Sequence, residues 1–209
     1  AMSRVLMFFL ALAPLSLISC GDKDDTGTPP EGDADTDVDT DTDVVYCEGI
    51  FEIKSEGELD AIAHCESITG GLYFFEQDWL EIVELPSLTS VGGHLVIEGN
   101  GALTSLEGLS SLTTVGTYLV IYDNHALTSL EGLSSLTTVG GGGGFLFIIN
   151  NDALTSLEGL SGLTYVGDDL SIHNNDSLCQ SDAEAFAASI ELGGTVDVRD
   201  NGTARTDCP

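Results

Sequence analysis

Three consecutive segments of the chain repeat almost the same sequence, and this repeat constrains the fold more than any other feature. They read NGALTSLEGLSSLTTVGTYLVIYD, NHALTSLEGLSSLTTVGGGGGFLFIIN and NDALTSLEGLSGLTYVGDDLSIHN, at residues 100–123, 124–150 and 151–174. Weaker copies flank them, around 72–93 and 196–201. Repeats of 24 to 27 residues indicate a solenoid, because one such unit cannot bury its apolar face without neighbours.

The apolar residues of one repeat divide into two spacings. Leucine or valine recurs every third residue from Leu103 to Val115, and Leu119 and Ile121 then follow two residues apart. A spacing of three suits tight turns, and a spacing of two suits a strand with alternate side chains inside. The predicted fold is mainly β, a stack of coils with one parallel sheet. Its strands are predicted at Leu72–Phe74, Leu95–Ile97, Leu119–Ile121, Leu146–Ile148, Leu170–Ile172 and Val196–Val198, with a less certain one near Phe51–Ile53.

An amide side chain follows each predicted strand at the same offset. Buried amides at equivalent turns can bond the backbone of their own and neighbouring coils, so we expect a structural ladder. Its members are Gln77, Asn100, Asn124, Asn151, Asn175 and Asn201. The alternative, glycosylation at Asn175 or Asn201, is disfavoured for side chains placed inside a coil.

The order LxI-xxN-xxL-xxL with a VG turn resembles the receptor L domain of insulin-receptor and epidermal-growth-factor-receptor ectodomains and its bacterial relatives. The resemblance covers roughly residues 47–209 and is well matched from 95 to 178. It implies a short right-handed β-helix related to leucine-rich repeats, a fold that helps to bind ligand in those receptors. The furin-like cysteine-rich region, second L domain and kinase of the receptors have no counterpart in this sequence. Their ligand-contacting residues are therefore not carried over.

The ends of a solenoid need caps, because open coils expose core and strand edges. Ser55 with Glu58, and Ser181 with Glu184, each fit a capping box that opens a helix. These helices are expected to run to about residues 65 and 190. The predicted architecture thus has a short helical cap at each end.

Five cysteines require an account, because an odd number leaves one outside any disulfide framework. Pairing Cys47 with Cys65 and Cys179 with Cys208 joins residues at the same end of the stack, which the two other pairings do not. An exported location makes such bridges reasonable. The fifth cysteine is Cys20.

The N-terminus predicts a lipoprotein signal peptide over residues 1–19. Arg4 precedes a short apolar stretch, too short to span a bilayer, which ends in Leu-Ile-Ser-Cys20. This tetrapeptide resembles the bacterial lipobox, which implies cleavage before Cys20 and its acylation, palmitate included. Gly21 is not the aspartate associated with inner-membrane retention, so outer-membrane location in the cell envelope is favoured. An ordinary secretory signal and an uncut anchor are the alternatives.

Residues 20–46 are predicted to be a lipidated cysteine followed by a disordered acidic tether. The segment after Cys20 holds ten acids and one lysine and few apolar groups, so it has little to bury. Calcium binding by the alternating aspartates from Asp33 to Asp43 is the sharper alternative. It is disfavoured because the glycine and glutamate that complete a calcium loop are missing. The solenoid domain is then predicted over 47–209.

Charge and motifs limit the function. The formal charge of -30, from 35 acids and 5 bases, argues against binding nucleic acid or docking on anionic lipid. The four histidines fall in different coils or different positions, so no metal-ligand set emerges. We expect no catalytic residues, no metal and no cofactor, with a β-helix carbohydrate-active enzyme as the least favoured alternative.

The outward side of the predicted sheet supplies a candidate binding face. Its first half presents apolar and aromatic side chains, and its second half presents polar ones from Asp169, Ser171, His173, Thr195, Asp197 and Arg199. An apolar patch of this kind is seldom exposed without a use, although the tether, a loop or a second copy could cover it. The apolar half consists of Tyr73, Phe75, Val96, Tyr118, Val120, Tyr122, Phe145, Phe147 and Ile149.

These inferences predict a lipid-anchored envelope protein that displays a recognition or adhesion domain for protein, peptide or glycan partners. Surface exposure on the cell and self-association are further expectations. A passive structural envelope lipoprotein is the main alternative, since it needs no ligand face. The glycine run at 140–144 is read as a tolerated insertion at a turn rather than a flexible bulge beside the face.

Overall fold

A computed structural model describes residues 44–202 and Cys208. This part of the chain is a solenoid of stacked coils with parallel strands, mainly β as predicted. Seven strands lie side by side in a sheet that we call the long-strand sheet. They are Phe51–Ile53, Leu72–Phe75, Leu95–Glu98, Leu119–Tyr122, Leu146–Ile149, Leu170–His173 and Val196–Arg199. Each predicted strand is present, most of them one residue longer than expected.

A second seven-stranded parallel sheet was not predicted. Its strands are only two residues long, at Tyr46–Cys47, Ser67–Ile68, Ser90–Val91, Thr114–Val115, Thr138–Val139, Tyr165–Val166 and Glu191–Leu192. Most of these end at the valine of the VG turn. The apolar residues there are three apart, and this spacing gives no sign that two of the residues are extended. A Cβ on Gly116 would lie 2.0 Å from the Gly92 carbonyl oxygen, so coils approach too closely here for any side chain.

The third side of each coil changes along the stack. Two strands, Ile82–Glu84 and Ser105–Gly108, pair in the early coils, and 3₁₀ turns at Glu131–Leu133 and Glu158–Leu160 replace them later. The leucines of the repeat point inward from all three sides. They form one core, in which Leu103, Leu109 and Leu112 are completely buried.

Helices cap both ends, at Glu56–Ile62 and Gln180–Ser189. Ser55 caps the first as predicted, accepting a hydrogen bond from the Glu58 N–H, but this helix ends before the expected residue 65. The capping box predicted at Ser181 is wrong. The N-cap of the second helix is Cys179, two residues before the predicted Ser181, and this helix has no side-chain cap. Gln180, its first residue, directs its amide to the last coil.

The predicted tether boundary at residue 46 is also wrong. Tyr46 and Cys47 already form a strand, and the Val45 carbonyl accepts hydrogen bonds from Glu66 and Ser67. The last tether residues therefore belong to the first coil. Both predicted disulfides are present, Cys47–Cys65 and Cys179–Cys208, one at each end of the stack.

The buried asparagines form a continuous ladder. Each Oδ1 accepts the backbone N–H of the asparagine one coil earlier, for example Asn124 N–H to Asn151 Oδ1 at 3.1 Å. Each Nδ2 donates to a strand carbonyl, as Asn151 does to Ile121 at 3.0 Å. The ladder satisfies buried backbone groups that no strand pairing reaches. Its described rungs are Asn100, Asn124, Asn151, Asn175 and Asn201.

Glutamines occupy both ends of this ladder. Gln77 donates its backbone N–H to Asn100 Oδ1 and its side-chain amide to the Phe75 carbonyl. At the other end, Gln180 Oε1 accepts from the N–H and the Nδ2 of Asn201, which is the role of the next rung. Gln180 was not predicted, since it lies on the capping helix outside the repeat.

The five-glycine run does not disturb the strand that follows it. Gly141, Gly142 and Gly143 face open space, and Gly143 has a φ of +105°, a value that favours glycine. Leu146 pairs with Leu119 in the same register as in the other coils. The three extra residues are thus accommodated at the turn.

Candidate functional site

The outward side chains of the long-strand sheet differ between its two halves. We call the first half the aromatic face: Tyr73, Phe75, His94, Val96, Tyr118, Val120, Tyr122, Phe145, Phe147 and Ile149. The second half is the polar face: Asp169, Ser171, His173, Thr195, Asp197 and Arg199. In-register pairing aligns these residues in columns, so that Phe147 stands beside Val120 on one side and Ser171 on the other.

Aromatic rings form a row across the strands of the aromatic face. The Tyr118 ring lies between two others, with centroids 3.7 Å from His94 and 4.6 Å from Phe145 and nearly parallel planes. Phe145 in turn stacks on Phe147 at 4.2 Å. Stacked rings of this kind stabilise one another by about 0.5–1.5 kcal/mol per pair beyond their burial.

The middle column of the aromatic face is not available for contact, which corrects the prediction that it is a binding surface. Tyr73, Val96 and Val120 are only 8%, 3% and 3% exposed because the flanking rings fold over them. The half-exposed part of the face consists of Phe75, His94, Tyr118, Tyr122, Phe145, Phe147 and Ile149. These seven side chains form the surface, and Tyr73, Val96 and Val120 form its base.

His94 belongs to this face and was missed as a member of it. It lies one residue before Leu95, as Tyr118 lies before Leu119, so the strand register alone identifies its column. Its Nδ1 contacts the Thr117 hydroxyl, and burial lowers its pKa. A neutral imidazole therefore extends the row of rings at neutral pH.

The tyrosines of the face stay uncharged. Burial, with a smaller effect from Tyr118, raises the pKa of Tyr73 to about 12. Burial also raises the pKa of Tyr118. The row thus combines apolar rings with neutral hydroxyls, a combination suited to contacts with other proteins.

Carboxylates line one flank of the aromatic face, at the C-terminal ends of its strands. Glu98 shares a column with Phe75 and Tyr122, while Glu76 and Asp123 follow directly after their strands. Burial raises the pKa of Glu98, and repulsion from Asp123 and Glu76 raises it further. We call these three residues the acidic flank.

The carboxylates of the polar face have partners among neighbouring side chains. Asp169 accepts hydrogen bonds from the N–H and hydroxyl of Thr195, both at 2.8 Å, and these lower the pKa of its carboxyl. Arg199 is paired with Asp197 at 3.0 Å and Asp200 at 2.7 Å. The acidic flank has no such paired cation among the described residues.

The described residues contain little that resembles a catalytic site. One trio, Cys47, His64 and Cys65, has metal-ligand spacing, but its two sulfurs form a disulfide. A shallow cleft beside the first helix is lined by Asp60, Glu84 and Glu107 together with apolar residues. It offers carboxylates without a basic partner.

The described residues form a solenoid, a class of protein whose stacked repeats create the extended surfaces that its members use for binding. Residues 88–190 match the family model of the Receptor L domain, and this part of the chain is receptor L-domain-like. That family consists of ligand-binding, non-catalytic domains. No curated protein matches the chain.

The remaining predicted sites lie outside the described residues. Cys20, the signal peptide and the aspartates from Asp33 to Asp43 all precede residue 44. Within the part of the chain that is described, neither helix is long and apolar enough to cross a membrane.

Proposed function

We propose that this protein is a lipid-anchored protein of the bacterial cell envelope whose solenoid recognises a protein partner through the aromatic face. The row of rings on one half of the sheet carries this proposal. The polar half of the same sheet has the same ladder and core without outward aromatic rings, so the backbone of the stack does not require them.

The lipid anchor is supported by the sequence Leu-Ile-Ser-Cys20 and by the charge of the chain. At -30, the protein is repelled by anionic lipid, so membrane attachment needs a source other than electrostatic docking, which a covalent lipid on Cys20 would supply. The acidic segment between Cys20 and the first coil would hold the domain away from the membrane. Labelling with radioactive palmitate is expected in the wild type and lost in Cys20→Ala; label retained in this variant contradicts the anchor.

The recognition role is tested with the full chain on an array of envelope and host proteins and glycans. We expect binding to a protein spot that is lost in the double variant Tyr122→Ser with Phe147→Ser. The matched control is Ser171→Ala with Thr195→Ala on the polar face, which should bind like the wild type. Binding that survives loss of both rings would remove the aromatic face from the proposal.

A passive structural lipoprotein is the second candidate. It is favoured by the burial of Tyr73, Val96 and Val120, since rings that cover these residues stabilise the sheet without a partner. In that case both double variants would leave all interactions of the envelope unchanged, and only the stability of the Tyr122 and Phe147 variant would fall.

A further inference from the structure

The geometry of the ring row narrows the kind of partner. A sugar stacks on the open face of an aromatic ring, but both faces of Tyr118 are occupied by His94 and Phe145. Phe145 likewise lies between Tyr118 and Phe147. Tyr118 and Phe145 therefore offer ring edges rather than ring faces to a partner, which suits aliphatic and aromatic side chains that pack edge to face.

The charges around the aromatic face limit the kind of partner further. Glu76, Glu98 and Asp123 lie along one flank of the face, and Lys54, the one base of the described residues near it, is paired with Glu52 at 3.1 Å. A second copy packed face to face with its strands in the same direction would bring the same acids against this flank, and like charge opposes that contact.

Of the three carboxylates in the acidic flank, Glu98 is the one whose charged form a cation from the partner would stabilise most. It is half-buried, and two neighbouring carboxylates repel it. A basic side chain placed against this flank would relieve that repulsion in a setting where water screens it weakly. The polar face differs, because Arg199 is already paired with Asp197 and Asp200, and hydrogen bonds from Thr195 stabilise the charged form of Asp169.

We infer that the partner is a protein segment that packs apolar side chains on the aromatic face and sets Lys or Arg against Glu76, Glu98 and Asp123. This inference rests on the proposed function and adds the chemistry of the ligand. The opposite side of the face carries Gly93, Thr117 and Gly144 and no charge. The cations of the partner are thus expected on one side of its apolar strip only.

A displayed random-peptide library, selected on the full chain in detergent, tests this inference. We expect peptides rich in Lys or Arg beside Leu, Ile or aromatic residues. Glu98→Gln with Asp123→Asn should weaken them about tenfold at low salt, which corresponds to one desolvated charge contact. The control Asp168→Asn with Asp176→Asn changes the net charge equally at other sites and should have little effect.

The outcomes separate the inference from the proposed function. Peptides that are lost in Tyr122→Ser with Phe147→Ser but are indifferent to the acidic flank overturn the cationic partner and keep the face. Peptides that are indifferent to both double variants contradict the proposed function itself. Enrichment of acidic peptides would also overturn the inference.

A second inference comes from the position of the bases. Of the five Lys and Arg residues in the sequence, the described part contains Lys54 and Arg199, which lie at the two outermost strands of the long-strand sheet. Each follows an acid by two residues and pairs with it, Glu52 at one end and Asp197 at the other. The same acid–base order thus occurs at both outermost strands of the described sheet.

These charges oppose end-to-end stacking of two molecules. Glu52 is in register with Tyr73, and Asp197 with Ser171, so both acids occupy the same column of the sheet. If one solenoid continued another in register, Glu52 would face Asp197 and Lys54 would face Arg199. We infer that this like-charge match keeps the edge strands from joining copies into a fibre.

Swapping the charges at one end tests the second inference. Glu52→Lys with Lys54→Glu keeps the local ion pair but makes the two ends complementary, so sedimentation should show concentration-dependent, head-to-tail oligomers. Adding Asp197→Arg with Arg199→Asp restores the like-charge match and should restore the monomer. A one-end swap that sediments like the wild type overturns the inference, as does a wild type that already stacks through these edges.

Discussion

The aromatic and polar faces share one backbone and differ only in the side chains that point outward. Leu146 and Ile148 pair in register with Leu170 and Ile172, and all four are completely buried. Between them, Phe147 on the aromatic face stands beside Ser171 on the polar face. Inward positions are thus fixed by the core, while outward positions are free to carry a function.

The faces also differ in how they treat charge. On the polar face Arg199 and Thr195 satisfy the neighbouring aspartates. On the aromatic face Glu98 is left beside Asp123 and Glu76, and burial and repulsion raise its pKa. The carboxylates of the polar face thus have an arginine or threonine partner, whereas no ion pair is formed by Glu76, Glu98 or Asp123 among the described residues. This contrast is the reason we assign recognition to one half of the sheet.

The largest expected effect on stability concerns the asparagine ladder, which both halves of the sheet share. Asn124→Ala under the aromatic face and Asn175→Ala under the polar face should each lower the free energy of unfolding by about 2–4 kcal/mol, because each leaves buried backbone groups unpaired. Urea denaturation measures both. Thr155→Ala, which removes an exposed hydroxyl bonded to the Thr128 carbonyl outside the ladder, is the control and should cost under about 1 kcal/mol. Unequal costs for the two ladder residues would mean that the halves differ inside as well as outside.

Truncating the paired outward side chains of Phe147 and Ser171 tests how the aromatic and polar faces differ in stability. Phe147→Ala should cost about 1.5 kcal/mol, since it removes a half-buried ring stacked on Phe145. Ser171→Ala at the paired position should stay within about 0.5 kcal/mol. Thermal unfolding of the two variants measures the difference. Equal effects would show that the ring row contributes nothing to the stability of the sheet.

Extending the row into the polar face is expected to have a smaller effect. Ser171→Phe places a ring in register beside Phe147 and should raise the free energy of unfolding by about 0.5 kcal/mol through a new cross-strand pair. Urea denaturation measures the gain, and Ser171→Leu controls for added apolar area. A loss of stability would indicate that the polar face cannot accommodate a ring.

The smallest effect concerns one histidine on each face. Burial lowers the pKa of His94; burial and then Arg199 lower that of His173. In both cases the folded state favours the neutral imidazole over the charged one. The stability that each histidine contributes in this way is complete above the ordinary histidine pKa of about 6.5 and is lost as the pH falls below that value. In an NMR titration, Arg199→Gln should raise the pKa of His173 and leave that of His94 unchanged. A shift of both would contradict the separation of the faces.

Much of the fold followed from the repeat. Leucines spaced by three, the Leu–Ile pair spaced by two and the recurring asparagine predicted the coil, the long-strand sheet and the ladder. Both disulfides followed from the requirement that each end be closed. The second sheet was missed because its strands are two residues long, too short for a period of two to show.

The candidate site was predicted less well. Alternation placed Tyr118, Tyr122, Phe145 and Phe147 on the outward side, where they are found. It could not tell that neighbouring rings would fold over Val96 and Val120, since this depends on rotamers across adjacent coils. His94 was passed over because a single histidine was assessed as a metal ligand rather than by its column.

The sequence by itself determined that the chain would stack in coils, since each repeat carries the apolar, glycine and asparagine positions that one coil requires. It also determined which half of the sheet would be aromatic, because strand alternation assigns each residue a side. Only the tertiary structure decided which sides of those rings are covered by other rings, which residues remain exposed and that Gln180 closes the ladder. These features depend on contacts between residues about one coil or more apart in sequence, and such contacts exist only once the coils are packed.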